Sequence, residues 1–265
     1  MVQTAAIYVT ANSLVDQNTS LEDALKIAEA AGVDGFEMRR ELLPSTIQIS
    51  ELQSLGERLK VFPSPPAYSV PRPLFEGGRL EQAALLKRLR EAQALGCQLV
   101  KFSPLGMEAG ESEIAALGAL LSNWKQEAPD MRVMVENDQT AASGQLTQWV
   151  HFFEQATTAG CPISMTFDLG NWDSVGVDVT EAARALGRFV SYIHGKGVER
   201  VGAQWAARPI RATATPHLAL EYLPATAPRA IEFPIPVLEQ EERINALRSY
   251  VLLLRSDTFE TRATI

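Results

Sequence analysis

Several residue types and patterns are missing from this chain, and each absence removes a class of answer. Cysteine occurs twice, as Cys97 and Cys161, with no CxxC pair; both read as reduced, buried thiols of a cytoplasmic protein. Histidine occurs three times, as His151, His194 and His217, so a site built on four or more imidazoles is excluded. Basic residues are outnumbered, 24 Lys and Arg against 32 Asp and Glu, for a formal charge of −8 and a pI of about 5.1. That balance argues against nucleic acid or an anionic membrane as a main partner, although a few local cations suffice for a small anion. No apolar run approaches a membrane span; even the longest, such as Val251–Leu254, are far too short. The opening MVQTAAIYVTANS has no basic stretch ahead of an apolar one and looks like a strand, so a secretory leader is not expected. No GxGxxG turn or P-loop follows the first strand, which counts against an open nucleotide-binding sheet.

What is there is a repeat. The segments AEAAGVDGFEM, AQALGCQLVKF and QATTAGCPISMTF each join the Ala-rich end of a helix to a glycine and then to an apolar strand. The glycines, Gly32, Gly96 and Gly160, are 64 residues apart each time and suit the left-handed position that ends a helix. Two strand–helix units per 64 residues make about 32 per unit, and eight units fill 265 residues. Strands are expected at 5–9, 34–38, 60–63, 98–103, 131–136, 163–168, 189–194 and 229–233. Helices are expected at 20–31, 47–58, 78–95, 111–127, 145–159, 179–187, 214–223 and 237–254. Ser20 and Asp23 give the first helix a start resembling a capping box. The strands are almost continuously apolar, as strands buried on both faces should be. The expected fold is therefore α/β, a single (β/α)8 TIM barrel over residues 1–265. Glu232 in RAIEF is preferred to Glu221 in HLALEYL as the acid of the last strand, because only the former leaves a helical crossover ahead of its strand.

In such a barrel the chemistry sits at the C-terminal ends of the strands. Reading those ends gives Glu37 and Arg39 on strand 2, Lys101 on strand 4, Glu136 on strand 5, Asp168 on strand 6, His194 on strand 7 and Glu232 on strand 8. The last four place three carboxylates and one imidazole on four consecutive strands about 4.8 Å apart, so they can converge. Three converging carboxylates repel unless a cation or protons intervene. An oxygen-rich set with one nitrogen suits Mn²⁺, Mg²⁺ or Co²⁺, with Zn²⁺ also admissible. Against this stands the plainer reading that each acid caps a helix or faces water and that His194 is a hydrogen-bonded core residue.

VENDQT (135–140), MTFDLGNW (165–172), YIHGKGV (192–198) and AIEFP (230–234) resemble, in that order, segments of the sugar-phosphate isomerase/epimerase family of xylose-isomerase-like barrels. DGFEMRREL (34–42) and VFPSPP (61–66) extend the likeness into the first half. The nearest likeness is to epimerase-like proteins of 2-ketogluconate utilisation. The resemblance implies a divalent metal on Glu136, Asp168, His194 and Glu232. It further implies that Glu136 and Glu232 are the catalytic acid/base pair of an isomerase or epimerase acting on a small sugar, sugar phosphate or keto sugar acid through an enediolate. Two departures stand out. Asn171 replaces a histidine that many relatives carry, and the strand-7 histidine is followed by Gly195-Lys196-Gly197 rather than a Lys-Asp pair. A DNA-repair endonuclease branch shares the architecture but uses a histidine-rich zinc cluster that three histidines cannot build.

Around the site, Glu37, Arg39, Lys101, Asn171, Trp172 and Lys196 are candidate substrate-binding residues. The cations would hold a phosphate or carboxylate or, alternatively, neutralise nearby acids. Trp172 would wall a sugar ring or merely pack its loop. The Pro-rich stretch 63–78 reads as a long loop or lid. A metal-dependent lyase or dehydratase, and a non-catalytic metabolite-binding barrel, stay open as alternatives. The expected partner is a small molecule in the cytoplasm, with homo-oligomerisation left open.

Overall fold

The computed structural model describes residues 4–103, 106, 109–140, 144–210, 218–236 and 239–255. Eight parallel strands close on themselves: β1 Ile7–Thr10, β2 Gly35–Arg39, β3 Ala67–Val70, β4 Leu99–Phe102, β5 Arg132–Glu136, β6 Ile163–Asp168, β7 Val190–Gly195 and β8 Arg229–Ile231. Each strand pairs with its neighbour in chain order, and β8 pairs with β1 to shut the ring. Between and after them run α1 Leu21–Ala31, α2 Ile49–Leu59, α3 Gln82–Ala94, α4 Glu111–Glu127, α5 Leu146–Thr158, α6 Leu169–Ser174, α7 Val179–Leu186 and α8 Gln240–Arg255. The chain is thus a (β/α)8 barrel. Among the described residues no helix is long and apolar enough to cross a membrane.

The 64-residue spacing is physical. β2, β4 and β6 begin at Gly35, Leu99 and Ile163, each just past a glycine with positive φ: Gly32 at 76°, Gly96 at 75° and Gly160 at 62°. An added Cβ at any of the three would meet nothing within 4 Å, so backbone conformation, not space, demands glycine there. Ser20 accepts a hydrogen bond from the Asp23 N–H and caps α1 as expected.

The third strand differs from expectation. Residues 60–63 form the turn that ends α2, and Phe62 stacks on Phe36 with ring centroids 5.8 Å apart. Pro63, Pro65 and Pro66 lack the N–H that a central strand must donate, so the strand starts only after the last of them, at Ala67. The stretch read as one long loop therefore contains β3. Beyond it lies a two-residue hairpin, Phe75–Glu76 with Arg79–Leu80, turning at Gly77 and Gly78, both at positive φ. A second departure follows β7, where Gly197–Val201 and Gln204–Arg208 form an antiparallel ribbon that the sequence reading did not foresee. Of the helix expected at 214–223, residues 214–217 lie outside the described residues and 219–222 form a single 3-10 turn. Glu221 is exposed on that turn, away from the barrel interior.

Strand periodicity builds the site. Side chains alternate between the barrel interior and the helix layer. Tyr8, Ala67, Leu99, Met134, Tyr192 and Ala230 form one buried interior cluster, with Tyr8 and Tyr192 edge to face at 5.7 Å. Two residues further along those strands stand Thr10, Ser69, Lys101, Glu136, His194 and Glu232. An apolar layer therefore floors a charged layer at the C-terminal mouth.

Candidate metal centre

Glu136, Asp168, His194 and Glu232 each place one potential ligand atom within 4.8 Å of the others, and all four residues are buried. His194 Nδ1 points into the group, 2.7 Å from Glu136 Oε1, 2.9 Å from Glu232 Oε2 and 3.8 Å from Asp168 Oδ2. Its other nitrogen, Nε2, is 2.8 Å from Glu37 Oε2. Glu37 is fully buried and reaches no open space. It therefore orients the imidazole and favours a proton on Nε2, so that the neutral ring would turn its Nδ1 lone pair to the centre. Glu37, a candidate substrate-binding residue in the sequence, is thus placed behind His194.

Each inward carboxylate has a second oxygen fastened to the protein. Lys101 pairs with Glu136 Oε2. The Asn171 N–H donates to Asp168 Oδ1 at 2.9 Å, so Asp168 caps α6 with one oxygen and offers the other. Arg39 Nη1 donates to Glu232 Oε1 at 2.9 Å. Asn137, noted in the sequence only as a neighbour of Glu136, spans the ends of β5 and β6: its amide donates to the Asp168 carbonyl at 2.9 Å and accepts from the Asp168 N–H at 2.8 Å. The Asn171 side chain donates to the Asn137 carbonyl at 2.8 Å, so Asn171 is a fastener of this junction and not a free substrate contact. Trp172 takes the packing position that was its alternative reading. It is completely buried, edge to face with Trp149 at 6.3 Å and 6.1 Å from Phe167; a tryptophan on that face of α6 packs the core. Arg39, Lys101 and Lys196 all reach the cluster, and each is paired with its carboxylates. His151 is exposed on α5 and His217 lies outside the described residues.

The donor set fits a cation. Glu136 Oε1, Asp168 Oδ2 and His194 Nδ1 are buried, and none makes an aligned hydrogen bond, an arrangement costly for polar atoms out of water. One imidazole proton cannot serve three facing oxygens. A divalent ion would satisfy all four inward atoms, and three oxygens with one nitrogen match hard to borderline metals. Electrostatics agree. Burial pushes Asp168 up to about 7, helped by Glu232 and Glu136 and opposed by Lys196. Burial acts the same way on Glu136, but Lys101 and His194 outweigh it and hold the group at about 2. Against burial, Glu232 and Glu37 drive His194 well above its ordinary value. Protons thus take the place of a positive charge that the cluster is built around.

Fold and site together define a (β/α)8 barrel with a buried three-carboxylate, one-histidine centre. Among solved structures, the chain is similar to D-psicose 3-epimerase in the presence of D-fructose (TM-score 0.70, 10% identity, 94% of this chain and 98% of that one). It is also similar to the IOLI protein with a binding zinc atom (0.69, 15%, 97% and 100%). A xylose isomerase domain containing protein from Salmonella typhimurium LT2 aligns comparably (0.69, 14%, 94% and 97%). No protein-family model and no curated protein matches the chain in sequence.

Proposed function

We propose that this protein is a divalent-metal-dependent epimerase or isomerase of a small sugar, sugar phosphate or keto sugar acid. The observation that carries the reading is the opposition of Glu136 and Glu232 across one buried centre. β5 and β8 are separated in the ring by β6 and β7, so the two carboxylates approach the centre from different sides. Glu136, Asp168, His194 and Glu232 would hold Mn²⁺, Mg²⁺, Co²⁺ or Zn²⁺. When bound, the ion supplies Lewis acidity toward a substrate carbonyl and its neighbouring hydroxyl.

The chain's own residues carry the proton. One glutamate, ionised, takes the proton from the carbon beside the carbonyl, leaving an enediolate. The other relays a proton taken up from solvent back to the enediolate. Delivery to the same carbon from the opposite side inverts it, delivery to the adjacent carbon isomerises the sugar, and the reverse reaction exchanges the two roles. Lys101 and Arg39 keep the glutamate carboxylates in register through their outer oxygens, and the apolar floor of Tyr8, Tyr192 and Met134 shuts water out from below. The two free, buried cysteines suit a reducing compartment, and we take the enzyme to act in the cytoplasm.

The test is solvent exchange. Protein loaded with Mn²⁺ and incubated in D₂O with a panel of ketoses, their phosphates and keto sugar acids should place deuterium on one carbon of its substrate. Glu136→Gln and Glu232→Gln should each slow that exchange by roughly 10²–10⁴-fold. Absence of exchange with every compound overturns the reading, and loss of water from a substrate would favour a dehydratase instead.

A further inference from the structure

The three cations at the centre are not equivalent. Lys101 and Arg39 hold the outer oxygens of Glu136 and Glu232, those not facing His194 Nδ1. Lys196 alone sits on inward oxygens: its Nζ is 2.7 Å from Asp168 Oδ2 and 2.8 Å from Glu232 Oε2. An ammonium that close to both oxygens occupies space and charge that a metal ligated through them needs, since metal–oxygen bonds are about 2.0–2.2 Å. Two like charges on one pair of oxygens repel, so ammonium and metal compete for it.

The seat is built, and it has an exit. Lys196 stands between Gly195 and Gly197 at the end of β7, and its stem lies against Gly170 of α6. A Cβ at Gly170 would come 2.8 Å from Lys196 Cγ and 3.1 Å from its carbonyl oxygen. Gly170 is not among the positive-φ glycines, so close approach is what glycine provides there. The Lys196 side chain is 13% exposed against 1% for Lys101. Lys101 is locked in the barrel, whereas the long stem of Lys196 opens on the mouth.

We propose that Lys196 is a resident counter-ion that competes with the metal for Asp168 and Glu232 and is expelled toward the mouth when the metal loads. This rests on the metal-centre reading above. Expulsion couples loading to a free ammonium at the rim of the substrate pocket, so the charge offered to substrate depends on the metal. A competitor seated nine-tenths of the time weakens apparent metal binding about tenfold.

Two measurements on the purified full chain test this without reference to turnover. In the first, lysines are acetylated with a water-soluble active ester, with and without Mn²⁺, and followed by peptide mass spectrometry. Lys196 should react several-fold faster when Mn²⁺ is bound, with Lys101 unchanged. In the second, Mn²⁺ affinity is measured by equilibrium dialysis. Lys196→Gln should bind about tenfold more tightly, and Arg39→Gln, which removes a charge from an outer oxygen only, should change affinity less. Wild-type protein that binds Mn²⁺ while Lys196 labelling stays constant or slows overturns this inference and leaves the metal centre standing. So does a Lys196→Gln affinity no tighter than wild type. Wild-type protein that binds no Mn²⁺ overturns both.

Discussion

The second half of the barrel, β5 to β8, ends in Glu136, Asp168, His194 and Glu232, whereas the first half contributes none of these four and supplies residues that hold three of them. Glu37 and Arg39 come from β2 and Lys101 from β4, and each of the three touches a ligand residue of the other half. The first half also has a buried ionic cluster of its own that stays clear of the centre. Glu91 on α3 accepts from the Tyr68 hydroxyl at 2.8 Å, from Arg40 Nε at 3.2 Å and from Arg88 Nη1 at 2.6 Å. Arg40 continues to the carbonyls of Leu43 and Ser45, fixing the segment after β2. In that cluster two arginines and a hydroxyl converge on one carboxylate, and both of its oxygens are bonded. At the centre Lys101, Arg39 and Lys196 neutralise the carboxylates, yet Glu136 Oε1, Asp168 Oδ2 and His194 Nδ1 stay without an aligned hydrogen bond. The first arrangement is complete as it stands; the second leaves inward donors that a divalent cation would engage.

The sharpest way to break this contrast is to remove one acid from each half. Asp168→Ala should abolish measurable Mn²⁺ binding while the fold persists. Glu91→Gln should leave Mn²⁺ affinity intact and destabilise the protein by roughly 3–5 kcal/mol, because it strands buried guanidinium groups. That corresponds to a fall in Tm on the order of 10 °C. Calorimetry and dialysis on both variants form the check. A Glu91 variant that lost its metal affinity, or an Asp168 variant that unfolded, would erase the distinction.

Next in size is the contact that links the halves. Glu37→Gln keeps the shape of the side chain but can present its amide N–H to His194 Nε2, which would turn the protonated face of the ring inward. Mn²⁺ affinity should drop by about 10–100-fold, the usual cost of losing a partner behind a metal-bound histidine. Titration calorimetry would show it, and an unchanged affinity would mean that His194 is oriented by packing alone.

How much of this was legible beforehand divides along the same line. The four candidate ligands could be read from the chain because each is a polar residue ending an apolar strand, and strand ends are where a barrel does chemistry. The glycine spacing likewise follows from a local rule, since a positive φ is a property of one residue. The supporting half was opaque. Glu37 was visible as a strand-end acid, but its partner, His194, lies 157 residues away, and only closure of the ring brings them together. Glu91 sits in mid-helix, where a glutamate ordinarily faces water. The contacts of Trp172 and Asn171 were hidden because α6, a short helix directly after β6, buries the first against Trp149 and Phe167 and ties the second to Asp168 and Asn137. The third strand was misplaced because the apolar pair Val61-Phe62 outweighed the prolines behind it, although the missing N–H groups were the better guide.

The pH dependence of loading should be smaller and graded. Without a cation, His194 is held protonated well above its ordinary range by Glu232 and Glu37, and burial raises Asp168 to about 7. A metal must displace those protons. Affinity should therefore rise with pH, by about tenfold per unit wherever one proton leaves per ion, and level off once the higher of the two pKa values is passed. Mn²⁺ titrations between pH 6 and 8, in buffers of different ionisation enthalpy, would count the protons. An affinity flat across that range would mean that the centre is already deprotonated and that its carboxylates are neutralised by Lys101, Arg39 and Lys196 alone.

The smallest effect lies at the seam where the halves close on each other. Ser13, just past β1, donates its hydroxyl to the Ile231 carbonyl at 3.1 Å, and Thr10 donates to the same oxygen at 3.3 Å. The Ser13 carbonyl in turn accepts from the Ile235 N–H at 2.9 Å. These bonds grip the backbone on both sides of Glu232. Ser13→Ala should cost about 1 kcal/mol, a shift in Tm of only a few degrees for a chain of this size. Because Thr10 keeps its bond to Ile231 and Arg39 keeps its hold on Glu232 Oε1, Mn²⁺ affinity should stay within about threefold of wild type, well under the loss expected for Glu37→Gln. If affinity instead fell as far as in the Glu37 variant, the seam between β8 and β1 would have to be counted with the residues that place the ligands. The division between a half that ligates and a half that supports would then give way to a ring in which every junction at the mouth sets the geometry of the centre.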